Sequence, residues 1–170
     1  MPYIRETCIA GKTIEIEKKF SSRFNNHGIK RSPNMNKTPE DVAKVNERNA
    51  EKELRRKVNH NFKPGDLHLV NTYSGKEPNL EEAKKDIEEF IRKIRNLFRS
   101  QGKVLKWISV TEYKNKRIHH HLIINAISVN DLIKYWPKGH IRPSFLDSTG
   151  NYKKLAAYLI KETSKTFRFE

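Results

Sequence analysis

From residue 66 onward, hydrophobic patterning changes in a fixed order: strand, helix, strand, strand, helix, strand, helix. The first six elements predict an α+β fold, a ferredoxin-like split βαβ domain with an antiparallel central sheet. Three observations carry that reading. Ala83, Ile87, Phe90, Ile91, Ile94, Leu97 and Phe98 recur at helical spacing. Two strand-like runs, 104–113 and 117–127, are joined by a tight polar turn near Asn115-Lys116. Pro143 cannot donate to a ladder, so the strand 139–146 belongs at a sheet edge.

The elements follow in order. "CIAGKTIEIEKKF" reads as a hairpin with Gly11-Lys12 near its turn. "NNHGIKRSPNMNKTPED" is rich in Asn, Gly, Pro and basic residues and reads as a loop. Thr38-Pro39-Glu40-Asp41 supplies a cap, a first-position proline and a capping-box acceptor. The helix it starts runs to about His60, and its charged content, "NERNAEKELRRK", predicts a solvated surface helix. Residues 1–61 thus form an N-terminal extension of strand hairpin, basic loop and charged helix, ahead of a main domain over 62–170.

In the main domain "GDLHLVNTY" (65–73) is a strand. Asn79 with Glu82 starts the amphipathic helix, about 80–100, and Gly102 ends it. Ser128 caps a short helix, "VNDLIKYW", and a last helix runs from about Asn151 to Ser164.

The chain of 170 residues suits one domain with a full core, and no internal repeat is visible. At 35% apolar and 32% charged it is polar but not disordered in composition. A formal charge of +15 predicts a polyanionic partner, nucleic acid first. No basic amphipathic helix with a Trp/Phe/Leu face argues for a membrane surface. The single cysteine, Cys8, excludes an internal disulfide and a cysteine-based zinc site. "MPYIRETCIAGKTIEIEKKF" is unlike a signal peptide, and "LIINAI" is far too short to cross a bilayer, so a cytoplasmic protein is expected.

The hairpin carries the chemistry. With Asn115-Lys116 as a two-residue turn, Glu112 faces His119, and strand alternation puts His121 on that same face. Two imidazoles and a carboxylate then converge as a facial set for a divalent cation with open positions. His120 points to the other face. A one-residue change in the loop would carry Glu112 to the opposite side. The competing reading is of surface histidines, or core histidines with satisfied nitrogens. Ile108, Val110 and Ile123 share the face of Glu112, so something apolar must cover it nearby.

The last helix supplies a second candidate. At about 100° per residue, Tyr152, Leu155, Ala156, Leu159 and Ile160 fall on one arc, and Lys154, Lys161 and Lys165 on another with Glu162. Tyr158 sits between them. A tyrosine among ammonium groups is set up to attack a phosphodiester, because the lysines favour the phenolate and offset developing negative charge. An amphipathic tyrosine at a core edge is the competing reading.

"RIHHHLII" resembles the His-hydrophobic-His motif of the HUH endonucleases, "AAYLIKE" their Tyr-x-x-Lys motif, and "DLHLVNTY" the first motif of rolling-circle replication initiators. The resemblance spans about residues 62–165. It implies a domain that nicks single-stranded DNA, or a DNA hairpin, at an origin of a phage, plasmid or mobile element, with the tyrosine joined to the DNA 5′ end. By match, His119 and His121 bind Mg²⁺ or Mn²⁺ with Glu112 as third ligand, Tyr158 is the nucleophile and Lys161 its basic partner. Lys154 and Lys165, with Lys116 and Arg117 at the hairpin, are the candidate DNA contacts. His120 departs from the apolar or aromatic residue usual at its position, and Asn71 from the first motif. The sequence has no phosphate-binding loop ending in Lys-Ser/Thr, so a separate helicase from host or element is expected to unwind the duplex.

Three other readings compete. A relaxase or single-strand transposase would use the same chemistry. A non-catalytic ferredoxin-like binding module would place aromatics on the sheet face, where Ile, Val, Glu and His stand instead. A metal-independent RNA endonuclease would need neither Tyr158 nor Glu112.

Overall fold

The computed structural model describes residues 3–20, 38–113, 116–162 and 167–169. A two-stranded ribbon comes first, β1 (Tyr3–Ala10) and β2 (Thr13–Phe20), paired antiparallel with Ala10 opposite Thr13. The two-residue turn between them needs Gly11, which has φ of 55°. A Cβ there would lie 2.0 Å from the Asn59 carbonyl oxygen.

Helix α1 (Pro39–Asn61) begins at the predicted capping box of Thr38 and Asp41. Its first half, residues 39–49, is the solvated surface its composition suggests, but its second half is not. Leu54, Val58 and Asn59 are buried. Two apolar residues four apart suffice to face a core, and the charges around them pair with the ribbon instead of entering solvent. The Asn59 amide nitrogen donates to Thr13 Oγ1 at 3.0 Å, and its oxygen accepts from the Tyr152 backbone N–H at 2.9 Å.

The main sheet contains β3 (Leu67–Thr72), β4 (Trp107–Glu112), β5 (His119–Ile124), β6 (Ile141–Phe145) and β7 (Phe167–Phe169), in the order β6-β3-β5-β4-β7 with every pair antiparallel. Strands β3 and β4 flank β5 and are linked through α2 (Leu80–Ser100), which is the split βαβ arrangement of a ferredoxin-like fold. Pro143 lies on the outer strand β6, as its missing N–H requires. The three-residue β7 was not readable, being too short to show alternation. Helix α3 (Val129–Ile133) is shorter than "VNDLIKYW" suggests, and the Ser128 side chain makes no cap. The chain turns there because Trp136 donates its indole N–H to Thr72 O at 2.9 Å and Pro137 follows.

Alternation divides the core in two. On one face α2 lays Ile87, Phe90, Ile91, Ile94 and Phe98 over Leu67, Leu69, Leu122 and Ile124, joined by Leu132 and Trp136. Each such side chain gains roughly 1.5–3 kcal/mol from burial before entropy is charged. On the other face α1 and α4 (Lys153–Glu162) cover Ile108, Val110 and Ile123 with Leu54, Val58, Ala156, Leu159 and Ile160. This is the apolar cover that the Glu112 face demands. Among the described residues, no helix is long and apolar enough to cross a membrane.

Candidate metal centre

Strands β4 and β5 pair with Glu112 opposite His119 and Val110 opposite His121, the register that a two-residue turn dictates. Of the connection between the strands, Lys114 and Asn115 lie outside the described residues, so the Asn115-Lys116 turn itself is not described. Glu112 is fully buried, His121 nearly so and His119 partly. Their ligand atoms lie within 4.8 Å of one another.

Hydrogen bonds decide which imidazole nitrogens are available. His119 Nδ1 lies 2.8 Å from Arg117 O. A carbonyl only accepts, so Nδ1 carries the hydrogen and a neutral ring turns its Nε2 lone pair toward Glu112 Oε2, 2.9 Å away. Two acceptors that close repel unless a proton or cation lies between them.

His121 leads to a residue the sequence reading did not single out. Its Nδ1 meets His68 Nε2 at 3.1 Å, with the two rings only 14° from parallel. Ser144 Oγ donates to the His68 carbonyl at 3.2 Å, which leaves its oxygen to accept from His68 Nδ1 at 3.4 Å. Assigned through this network, His68 Nε2 accepts from His121 Nδ1, and His121 Nε2 carries the lone pair, 3.5 Å from Glu112 Oε2. Burial holds His68 neutral by lowering its pKa to about 4, as an acceptor requires. His68 sits in the apolar-polar alternation of "DLHLV", but finding its partner needs the non-local β3–β5 register, in which His68 pairs with Ile123.

The donor set therefore fits a divalent cation: two imidazole lone pairs and one carboxylate, each oriented by a hydrogen bond or by burial. The Lys116 ammonium lies 3.0 Å from Glu112 Oε1. Arg117 is turned to the Gly75 carbonyl, which accepts from its guanidinium at 2.7 Å.

Tyr158 stands on α4 with 42% of its surface exposed, and its ring meets that of His121 edge-on, centroids 5.4 Å apart and planes at 84°. Tyr152 is buried in the apolar arc. Lys154 and Lys161 are exposed on the same helix, and Lys161 follows Tyr158 by three residues. Lys165 lies outside the described residues.

His120 and Asn71 pair across β3 and β5, turned away from this centre. His120 is fully buried, with Tyr73 Oη 2.9 Å from Nε2 and Thr111 Oγ1 2.9 Å from Nδ1. Burial lowers its pKa to about 3, with the neighbouring histidines adding to the effect. The Tyr73 hydroxyl is shifted upward, also mainly by burial.

A family model described as replication-associated protein ORF2/G2P matches residues 67–167. No curated protein and no solved structure matches the chain.

Proposed function

The chain belongs to the replication-associated protein ORF2/G2P family, and from that premise we propose that it nicks and rejoins single-stranded DNA to initiate rolling-circle replication of a phage, plasmid or mobile element. The observation that carries this reading is the convergence of Glu112, His119 and His121 with Tyr158 at its rim. A binding module has no need of a buried carboxylate facing two imidazole lone pairs.

Glu112, His119 and His121 would hold Mg²⁺ or Mn²⁺, and such an ion, when bound, supplies Lewis-acid polarisation of the scissile phosphate. Tyr158 Oη attacks phosphorus, and the bond from phosphorus to the 3′ oxygen breaks. The phenolic proton is released to water, and the departing 3′ oxygen takes up a proton to become a hydroxyl. A 5′-phosphotyrosine results. Attack by a 3′ hydroxyl on that linkage regenerates the phosphodiester and the tyrosine. Lys161 and Lys154 lower the cost of the phenolate and of the charge building on the phosphate oxygens. His68 and Ser144 keep His121 in the tautomer that presents Nε2. Lys116, Arg117 and Lys165 would contact the DNA backbone. Duplex opening would fall to a separate helicase.

The test is incubation with end-labelled single-stranded origin DNA and Mn²⁺, read on a denaturing gel for a covalent adduct. The adduct should form and should vanish with chelator. Cleavage that persists in chelator without any adduct would sink the proposal.

A further inference from the structure

The ribbon β1–β2 lies outside the segment that matches the family, and the proposed chemistry does not use it. Its two faces differ in charge. The inward face carries Glu6, Glu15 and Glu17, and α1 neutralises all three. Arg55 and Arg56 reach the two oxygens of Glu15 at 2.7 and 2.9 Å. Arg56 also holds Glu6 at 2.9 Å, and Lys52 holds Glu17.

The outward face pairs Tyr3 with Phe20, Arg5 with Lys18, Thr7 with Ile16, and Ile9 with Ile14. It bears no acidic side chain. Tyr3 is 51% and Phe20 73% exposed, and their rings meet edge-on with centroids 6.2 Å apart. Lys18 Nζ lies 5.7 Å from the Tyr3 ring centroid. Arg5 and Lys18 have no carboxylate partner among the described residues. All the acid of the ribbon is therefore spent inward, and aromatic rings and free cations are left facing water.

We infer that this outward face is a second contact surface for single-stranded DNA, with Tyr3 and Phe20 stacking on bases and Arg5 and Lys18 on the adjoining phosphates. Stacking on exposed aromatic rings beside cations is how unpaired strands are held without regard to sequence. A duplex buries its base faces and offers the rings little. A second copy is disfavoured, because a two-fold pairing of this face sets Arg5 and Lys18 against their like on a chain of charge +15. The inference rests on the proposed function in one respect: the strand held is the one that Tyr158 would cut.

The experiment uses the full chain and a fluorescein-labelled thymidine 30-mer, read by anisotropy over a salt series. Two double variants are compared with the wild type, Tyr3→Ser with Phe20→Ser, and Arg5→Ala with Lys18→Ala. All four residues are exposed, so the ion-paired inward face is kept, and circular dichroism checks that it is. The aromatic variant should bind about tenfold more weakly or worse. The charge variant should flatten the dependence of log affinity on log salt by about 1.4 units, about 0.7 for each cation removed from a single strand. Adduct formation on a short oligonucleotide, measured in parallel, keeps the two readings apart. Weakened binding by the variants supports the ribbon surface even if the wild type forms no adduct, a result that would overturn only the nicking chemistry. Wild-type affinity in both variants overturns the ribbon surface, as does dimerisation through these residues or tighter binding of a duplex through them.

Discussion

His120 and His121 are neighbours in sequence, and the two sheet faces they enter treat them oppositely. His120 enters the face under α2 and α3, where Tyr73 and Thr111 saturate both ring nitrogens and Trp136 closes the space. His121 enters the face under α1 and α4, where the apolar cover stops short and Nε2 meets the Glu112 carboxylate. Burial is almost the same for both rings, so burial does not separate a structural histidine from a candidate ligand. The partner of the second nitrogen does.

The largest expected effect breaks the comparison at the rim. Tyr158→Phe removes one hydroxyl from a half-exposed ring and should cut adduct formation on the order of 10⁴-fold or more, with DNA affinity unchanged. An adduct mapped by peptide sequencing to Tyr152 instead would refute the assignment.

Next come the candidate ligands. His119→Ala and His121→Ala should each weaken Mn²⁺ binding by more than about 100-fold in calorimetry, since losing even an outer partner costs 10–100-fold. Unchanged affinity in both variants would remove the metal from this face.

His68→Ala sharpens the account of His121. It should weaken Mn²⁺ binding about 10–100-fold, and His68→Gln, which keeps an acceptor, should restore part of it. Equal losses in the two variants would mean that His68 acts only by filling space.

On the closed face the readout changes kind. His120→Ala should leave Mn²⁺ affinity alone and lower stability by about 2–3 kcal/mol, through a cavity and the loss of the hydrogen bonds to Tyr73 and Thr111. A denaturant midpoint equal to the wild type's would contradict it.

The smallest effect concerns the outermost layer of the open face, where the ribbon docks on α1. Lys19 and Arg56 hold the Glu6 carboxyl at about 2, and Arg55 and Lys52 lower those of Glu15 and Glu17. Depressed folded-state values mean that this contribution is complete above the ordinary 4.5 and is lost as pH falls from there through about 2. The pairs are partly exposed, so the change is modest. Thermal melts across that window should fall less in Glu15→Gln than in the wild type; parallel falls would dismiss the ion pairs.

Much of the fold was legible because it is written in local signals. The capping boxes at Thr38 and Asn79, the Gly11 turn and the edge proline each depend on a few adjacent residues, and each is where the sequence places it. The convergence of Glu112 with His119 and His121 was legible for the same reason, since the two strands are sequence neighbours and their pairing has Glu112 opposite His119, as a local hairpin register predicts. The burial of α1 was not. Its apolar content is Leu54 and Val58 amid charges, and only a distant helix, α4, gives them a surface to meet. His68 escaped likewise, because its partner lies across a pairing of residues more than fifty positions apart.

Asn59 works as an assembly pin. One side-chain amide fixes the ribbon turn through Thr13 and the entrance of α4 through Tyr152, and its backbone carbonyl leaves no room for a side chain at Gly11. Ribbon, α1 and the helix bearing Tyr158 are thereby held to a common tolerance, so the unit that can be transplanted is larger than the segment by which relatives are detected. A fragment of residues 67–167 would lack the pin, and would lose Leu54, Val58 and Phe62 from the cluster that covers Ile108, Val110 and Ile123, leaving α4 as the remaining cover. For any fusion that borrows this domain, the working boundary falls before Tyr3, about sixty residues upstream of where family resemblance begins.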